Sequence, residues 1–160
     1  MEIEHRNTLV TELASLIQKG NAHVTFTDAV ADLPPAHRSL IPENLPYSIW
    51  QLVEHMRIAQ HDILDFSISE NYEELDWPKD YWTAHIADVS YEQWNASLAT
   101  IDADQKAFIR LLENKDSDLF TPFYWGNGQN LLREAILIGD HNAYHTAEII
   151  VIRRLLGNWQ

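Results

Sequence analysis

Two histidines stand four residues apart in Asp140-His141-Asn142-Ala143-Tyr144-His145, inside an apolar segment running from about Asn130 to Leu156. On a helix this spacing sets the imidazoles side by side, about 5–6 Å apart at Cβ, the right separation to grip one divalent cation together. The pair alone is not specific. With 8 His in 160 residues, about 0.4 such pairs arise by chance, so the meaning of this one depends on its neighbours.

Three neighbours matter. Put on a helical wheel, His141 and His145 fall within the apolar arc defined by Leu131, Ile138, Ile149, Ile152 and Leu156, with Leu137 and Leu155 widening it, so both rings are expected to face inward. Glu134 lies one heptad before His141 and Glu148 three residues after His145, placing two acids at the margin of the same arc. A buried carboxylate is costly unless paired, and a metal-bound His needs an acceptor for its other ring nitrogen. Glu148 is therefore the candidate catalytic acid/base or support for a ligand, against the plainer alternative that both acids pair with Arg133 or Arg153 from the surface. The third neighbour is His55, on the flank of another apolar face formed by Ile49, Leu52, Val53, Met56, Ala59, Ile63 and Phe66. A single inward His is most often a structural residue satisfied by one hydrogen bond. Three of them on two helices form a set, His55, His141 and His145, that leaves coordination positions open as a catalytic metal requires. His61 falls among Glu54, Arg57 and Asp65 on the polar side and is expected to be exposed.

Other chemistries lack their residues. Zero cysteines exclude disulfides, Cys-ligated zinc and thiol nucleophiles. Asn142 stands where a His-Glu-x-x-His protease needs its glutamate, and no Gly-x-Ser-x-Gly elbow is present. A net charge of −13 with only 11 Lys and Arg opposes binding to nucleic acid. No secretory leader or membrane-spanning stretch is evident, which gives the expectation of a soluble cytoplasmic protein with no membrane partner.

The elements that must position these side chains are four long helices. Leu9, Val10, Leu13, Leu16 and Ile17 predict the first, from Glu2 to about Gln18. A short helical turn is expected over Ala29–Leu33 after Thr27-Asp28, then an irregular proline-rich connection to Pro46. Ser48 is the expected N-cap of the second, from Ile49 to about Phe66. The third spans about Tyr91 to Glu113, with Trp94, Leu98, Ile101, Phe108, Leu111 and Leu112 buried. The fourth carries the His pair and ends at Gly157, with Arg153 and Arg154 suited to its dipole. Two aromatic connections, Ser67–Ser90 and Phe120–Trp125, either close the core or wall a pocket. The pattern is all-α, a four-helix bundle in one domain over residues 1–160.

The chain resembles the DinB-like, or YfiT-like, family of small bacterial proteins. The likeness rests on Ser48-Ile49-Trp50-Gln51-Leu52-Val53-Glu54-His55-Met56, on Asp140 to His145, and on Arg153-Arg154-Leu155-Leu156-Gly157-Asn158-Trp159, and it covers nearly the whole length. It implies an up-down-down-up bundle with a long crossover, a divalent metal such as Zn²⁺ or Ni²⁺ on His55, His141 and His145, and a homodimer. Better-understood members are thiol-dependent S-transferases and isomerases that use a low-molecular-weight thiol. One departure stands out: many members carry a Gly-Gln pair shortly after the second His of the pair, where this chain has Thr146-Ala147-Glu148. The expectation is a metal-dependent transferase or hydrolase acting on a small molecule. Its rival is a non-catalytic, stress-associated homodimeric bundle that binds a metal or ligand.

Overall fold

The computed structural model describes residues 3–159, and among these there is no strand. The helices are α1 (Ile3–Lys19), α2 (Phe26–Val30), α3 (Ile49–Ile68), α4 (Tyr91–Glu113) and α5 (Leu131–Leu155), with single 3₁₀ turns at Pro35–His37 and Lys79–Tyr81. Their starts are set by side chains that satisfy the free backbone N–H groups of the first turn. Ser48 and Ser90 each open a capping box, closed from the other side by Gln51 and Gln93, while Asn130 accepts from the Arg133 N–H at 2.9 Å. The short helix α2 begins before the expected position, because the cap is Thr25 rather than Thr27. Thr25 Oγ1 accepts the Asp28 N–H at 3.1 Å and donates to the Asp28 carboxylate at 2.7 Å.

The four long helices pack together: α1 lies against α4 and α5, α3 lies against α4 and α5, and α2 rests on α5. The apolar contacts form two clusters. One gathers Ile49, Leu52, Val53, Met56, Ile149 and Ile152 around Trp50 and Trp94. The other gathers Val10, Leu13, Ile63, Phe108, Leu112, Leu131 and Ile138. Between them the packed helices have a polar waist. Gln60 donates to the Ile101 carbonyl at 2.7 Å and accepts from Asn142 at 2.9 Å, bonding α3 to both α4 and α5. Beside it, Gly139 lets α1 approach α5, since a Cβ there would meet Leu16 at 2.8 Å.

Two expectations for α5 are corrected. Leu155 does not widen the buried face but is 60% exposed, on the opposite side of the last turn from the buried Arg153. Arg153 does not merely complement the helix end. It is buried, its Nη1 donates to the carbonyls of Ala29 and Ala31 at 2.7 and 2.8 Å, and Nε and Nη2 donate to Asn158. It thereby satisfies the carbonyls that end α2. No helix among the described residues is long and apolar enough to cross a membrane.

Arg153→Met removes the donor for the buried Ala29 carbonyl and the part-buried Ala31 carbonyl while keeping most of the side-chain volume. Urea unfolding should show a loss of about 2–3 kcal/mol, whereas a surface arginine would cost little.

Candidate metal centre

The structure brings His55 of α3 together with His141 and His145 of α5, and one nitrogen of each ring lies within 4.8 Å of the others. His55 and His145 are buried and His141 is half-buried. The ring centroids are 4.5–5.0 Å apart. No other group of three His, Cys, Asp or Glu among the described residues is similarly gathered. His61 is on the exposed side as expected, 3.0 Å from Asp104.

Hydrogen bonds fix which nitrogen of each ring is available. His55 Nδ1 lies 2.9 Å from the Tyr81 carbonyl, which can only accept, so Nδ1 carries the proton and Nε2 keeps its lone pair. His145 Nδ1 donates in the same way to Glu148 Oε2 at 2.6 Å. His141 Nε2 points at His55 Nε2 across 3.1 Å. Without a cation, His141 must donate its Nε2–H to His55. With one, both lone pairs face it. Adjacent ligands about 2.0–2.1 Å from one ion, at tetrahedral to right angles, have nitrogens about 2.9–3.3 Å apart, so the His55–His141 spacing fits two ligands of one ion, and a ring nitrogen of His145 lies within 4.8 Å of both.

Burial keeps these imidazoles neutral. His55 and His145 titrate below the ordinary value, chiefly through desolvation, and His141 is pulled down to about 4 by desolvation and then by its two His neighbours. Neutral imidazole is the form that binds a metal, so little free energy is needed to deprotonate the set.

Glu148 takes a defined place. One oxygen holds the His145 Nδ1 proton and the other accepts from the Tyr47 hydroxyl. The alternative pairing with Arg153 is not found, since Arg153 turns to the end of α2. Glu134 does pair with Arg133, at 2.6 Å, yet it is 2% exposed rather than at the surface. Its pKa is raised by burial and brought back in part by the arginine.

An open cleft of about 650 Å³ reaches the three His, within the range of small-molecule sites. Its walls include Trp77, Tyr81, Trp82 and Tyr144, so the Ser67–Ser90 connection walls a pocket. Trp82 lies flat on His55, centroids 4.0 Å apart and planes 4° from parallel, and also stacks with Tyr47. Asp62 accepts from the hydroxyls of Tyr72 and Tyr81 at 2.8 and 2.6 Å, holding the segment whose carbonyl orients His55. Asp62 was within reach of sequence reasoning, being seven residues after His55 on the same helical row. Tyr47, next to the Ser48 cap but 101 residues from Glu148, gave no such signal.

Comparison with models of known families, with curated proteins and with solved structures gives no match. Geometry and donor chemistry are what bear on the function of this chain.

In metal-free protein, a proton NMR titration should place His141 near 4, against 6.5 for an unperturbed imidazole. Between those values the unfolded chain binds a proton that the folded chain refuses. Stability should therefore fall as pH drops through this window, by about 3 kcal/mol from His141, and this contribution should level off below it.

Proposed function

We propose that this chain is a divalent-metal-dependent enzyme of the DinB-like kind, acting on a small molecule as a thiol S-transferase or a hydrolase. In this reading His55, His141 and His145 hold Zn²⁺, Ni²⁺ or a similar ion, and the four packed helices form a single-domain up-down-down-up bundle. The observation that carries it is the convergence of three neutral imidazoles at an open, aromatic-walled cleft. A sealed site would suit a structural ion, whereas this one leaves room for a reactant beside the ligands. A divalent ion held there would act as a Lewis acid and lower the pKa of a thiol or water that reached it.

The protein's own part is orientation and exclusion. The Tyr81 carbonyl and the Glu148 carboxylate keep the Nδ1 protons in place, so that His55 and His145 present Nε2. Tyr47 holds the far oxygen of Glu148, which favours a positioning role for this acid over direct proton transfer to substrate. Trp82 covers one face of His55 and keeps water from it. The reading includes a homodimer, supported by a row of exposed apolar residues on α5 that includes Ile136, Tyr144, Val151 and Leu155.

Purified protein should carry one metal per chain by elemental analysis, and His145→Ala and His55→Ala should each lower its affinity at least about 100-fold. Protein without stoichiometric metal, or metal content unchanged in His145→Ala, sinks the proposal. Tyr47→Phe should weaken metal binding by about 10-fold, measured by chelator competition, while leaving the fold intact by circular dichroism.

A further inference from the structure

A second cleft, of about 460 Å³, adjoins the first and shares Asp62, Ile63, Tyr81 and Leu137 with it as common wall. Its character differs. Where the first is walled by aromatic rings around the three His, the second is bordered by Glu74, Asn127, Gln129, Arg133 and Glu134. Arg133 is the only Lys or Arg among the residues that line either cleft.

The arginine is held in an unusual way. Its Nη1 donates to Glu134 at 2.6 Å, and Glu134 is almost wholly buried, while the arginine side chain is 56% exposed. A carboxylate in that position is costly to desolvate and does nothing for the chemistry at the three His. What it does is fix the guanidinium at the cleft wall, with the rest of its five-donor fork available to an incoming group. A fork of this kind matches a carboxylate bidentately. The acids nearby, Glu74 and Asp62, oppose a polyanion such as a nucleotide, so a single carboxylate is the better fit.

The helix also sets a length. Glu134 and His141 are separated by two turns on one face of α5, about 10 Å along its axis at about 1.5 Å per residue, with Leu137 between them in the shared wall. Resting on the metal-dependent reading above, we propose that the second cleft is a recognition subsite in which Arg133, anchored by Glu134, binds the carboxylate of an elongated thiol whose sulfur end lies at the three His, about 10 Å further along α5.

The test uses Co²⁺-loaded full-length protein and reads thiolate-to-cobalt absorption as 8-mercaptooctanoate, 8-mercaptooctan-1-ol or 3-mercaptopropionate is titrated in. The long carboxylate should bind about 10-fold or more tightly than the long alcohol. In R133Q this preference should vanish, and in R133K it should survive only in part, because the charge remains without the fork. 3-Mercaptopropionate, too short to reach Arg133, should bind wild type and R133Q alike. Thermal melts establish that the variants fold. Equal binding of the long carboxylate and alcohol to wild type, or a preference undiminished in R133Q, overturns the subsite and leaves the metal centre standing. Absence of any thiolate absorption, with all three probes, overturns the thiol reading and the subsite with it.

Discussion

The hydrogen bond from His55 Nδ1 to the Tyr81 carbonyl is the interaction on which the rest of the centre depends. A ring buried on α3 must satisfy its N–H somewhere, and the nearest acceptor belongs to a connection rather than to a helix. That one bond decides the tautomer, aims Nε2 at His141, and requires the Tyr81 segment to stay against α3. Asp62 and Trp82 serve the same requirement, one by accepting from Tyr81 and the other by stacking on His55. Neutrality of the imidazoles then follows from burial, and their close approach from that neutrality.

The polar waist makes this possible among four packed helices. An uninterrupted apolar core would leave three imidazoles and a carboxamide pair without partners, at a cost of several kcal/mol. Instead Gln60 accepts from Asn142 and donates to the Ile101 carbonyl, while His55 and His145 donate their Nδ1 protons to the Tyr81 carbonyl and to Glu148. The apolar clusters to either side supply the packing, and the waist supplies the register between α3 and α5. Register matters because a displacement of one turn, about 5 Å, would separate His55 from the α5 pair.

Much of this was legible in the residues. Helical periodicity located all four long helices, the Ser48 cap and the inward placement of His55, His141 and His145, because apolar spacing reports directly on burial. The same wheel sorted His61 to the exposed side. What it could not give is contact between residues distant in the chain. Tyr47 meets Glu148, Arg153 meets the end of α2, and Trp82 lies on His55 only because the helices fold back on each other. Wheel position also overestimated the exposure of Glu134, since a margin on a wheel becomes interior when a neighbouring element closes over it.

The two supports of the ligand set differ in kind. His145 depends on a side chain, Glu148, that a single nucleotide change can delete. His55 depends on a backbone carbonyl, which every residue type at position 81 would still provide. The Tyr81 and Trp82 segment is also cleft wall, so the lining of the cleft and the scaffold that aims His55 are one stretch of chain. Tyr81 and Trp82 also hold the segment in place, through Asp62 and His55, so the freedom to vary falls to its other side chains, such as Trp77. Such a layout separates a variable cleft lining from an inherited imidazole geometry.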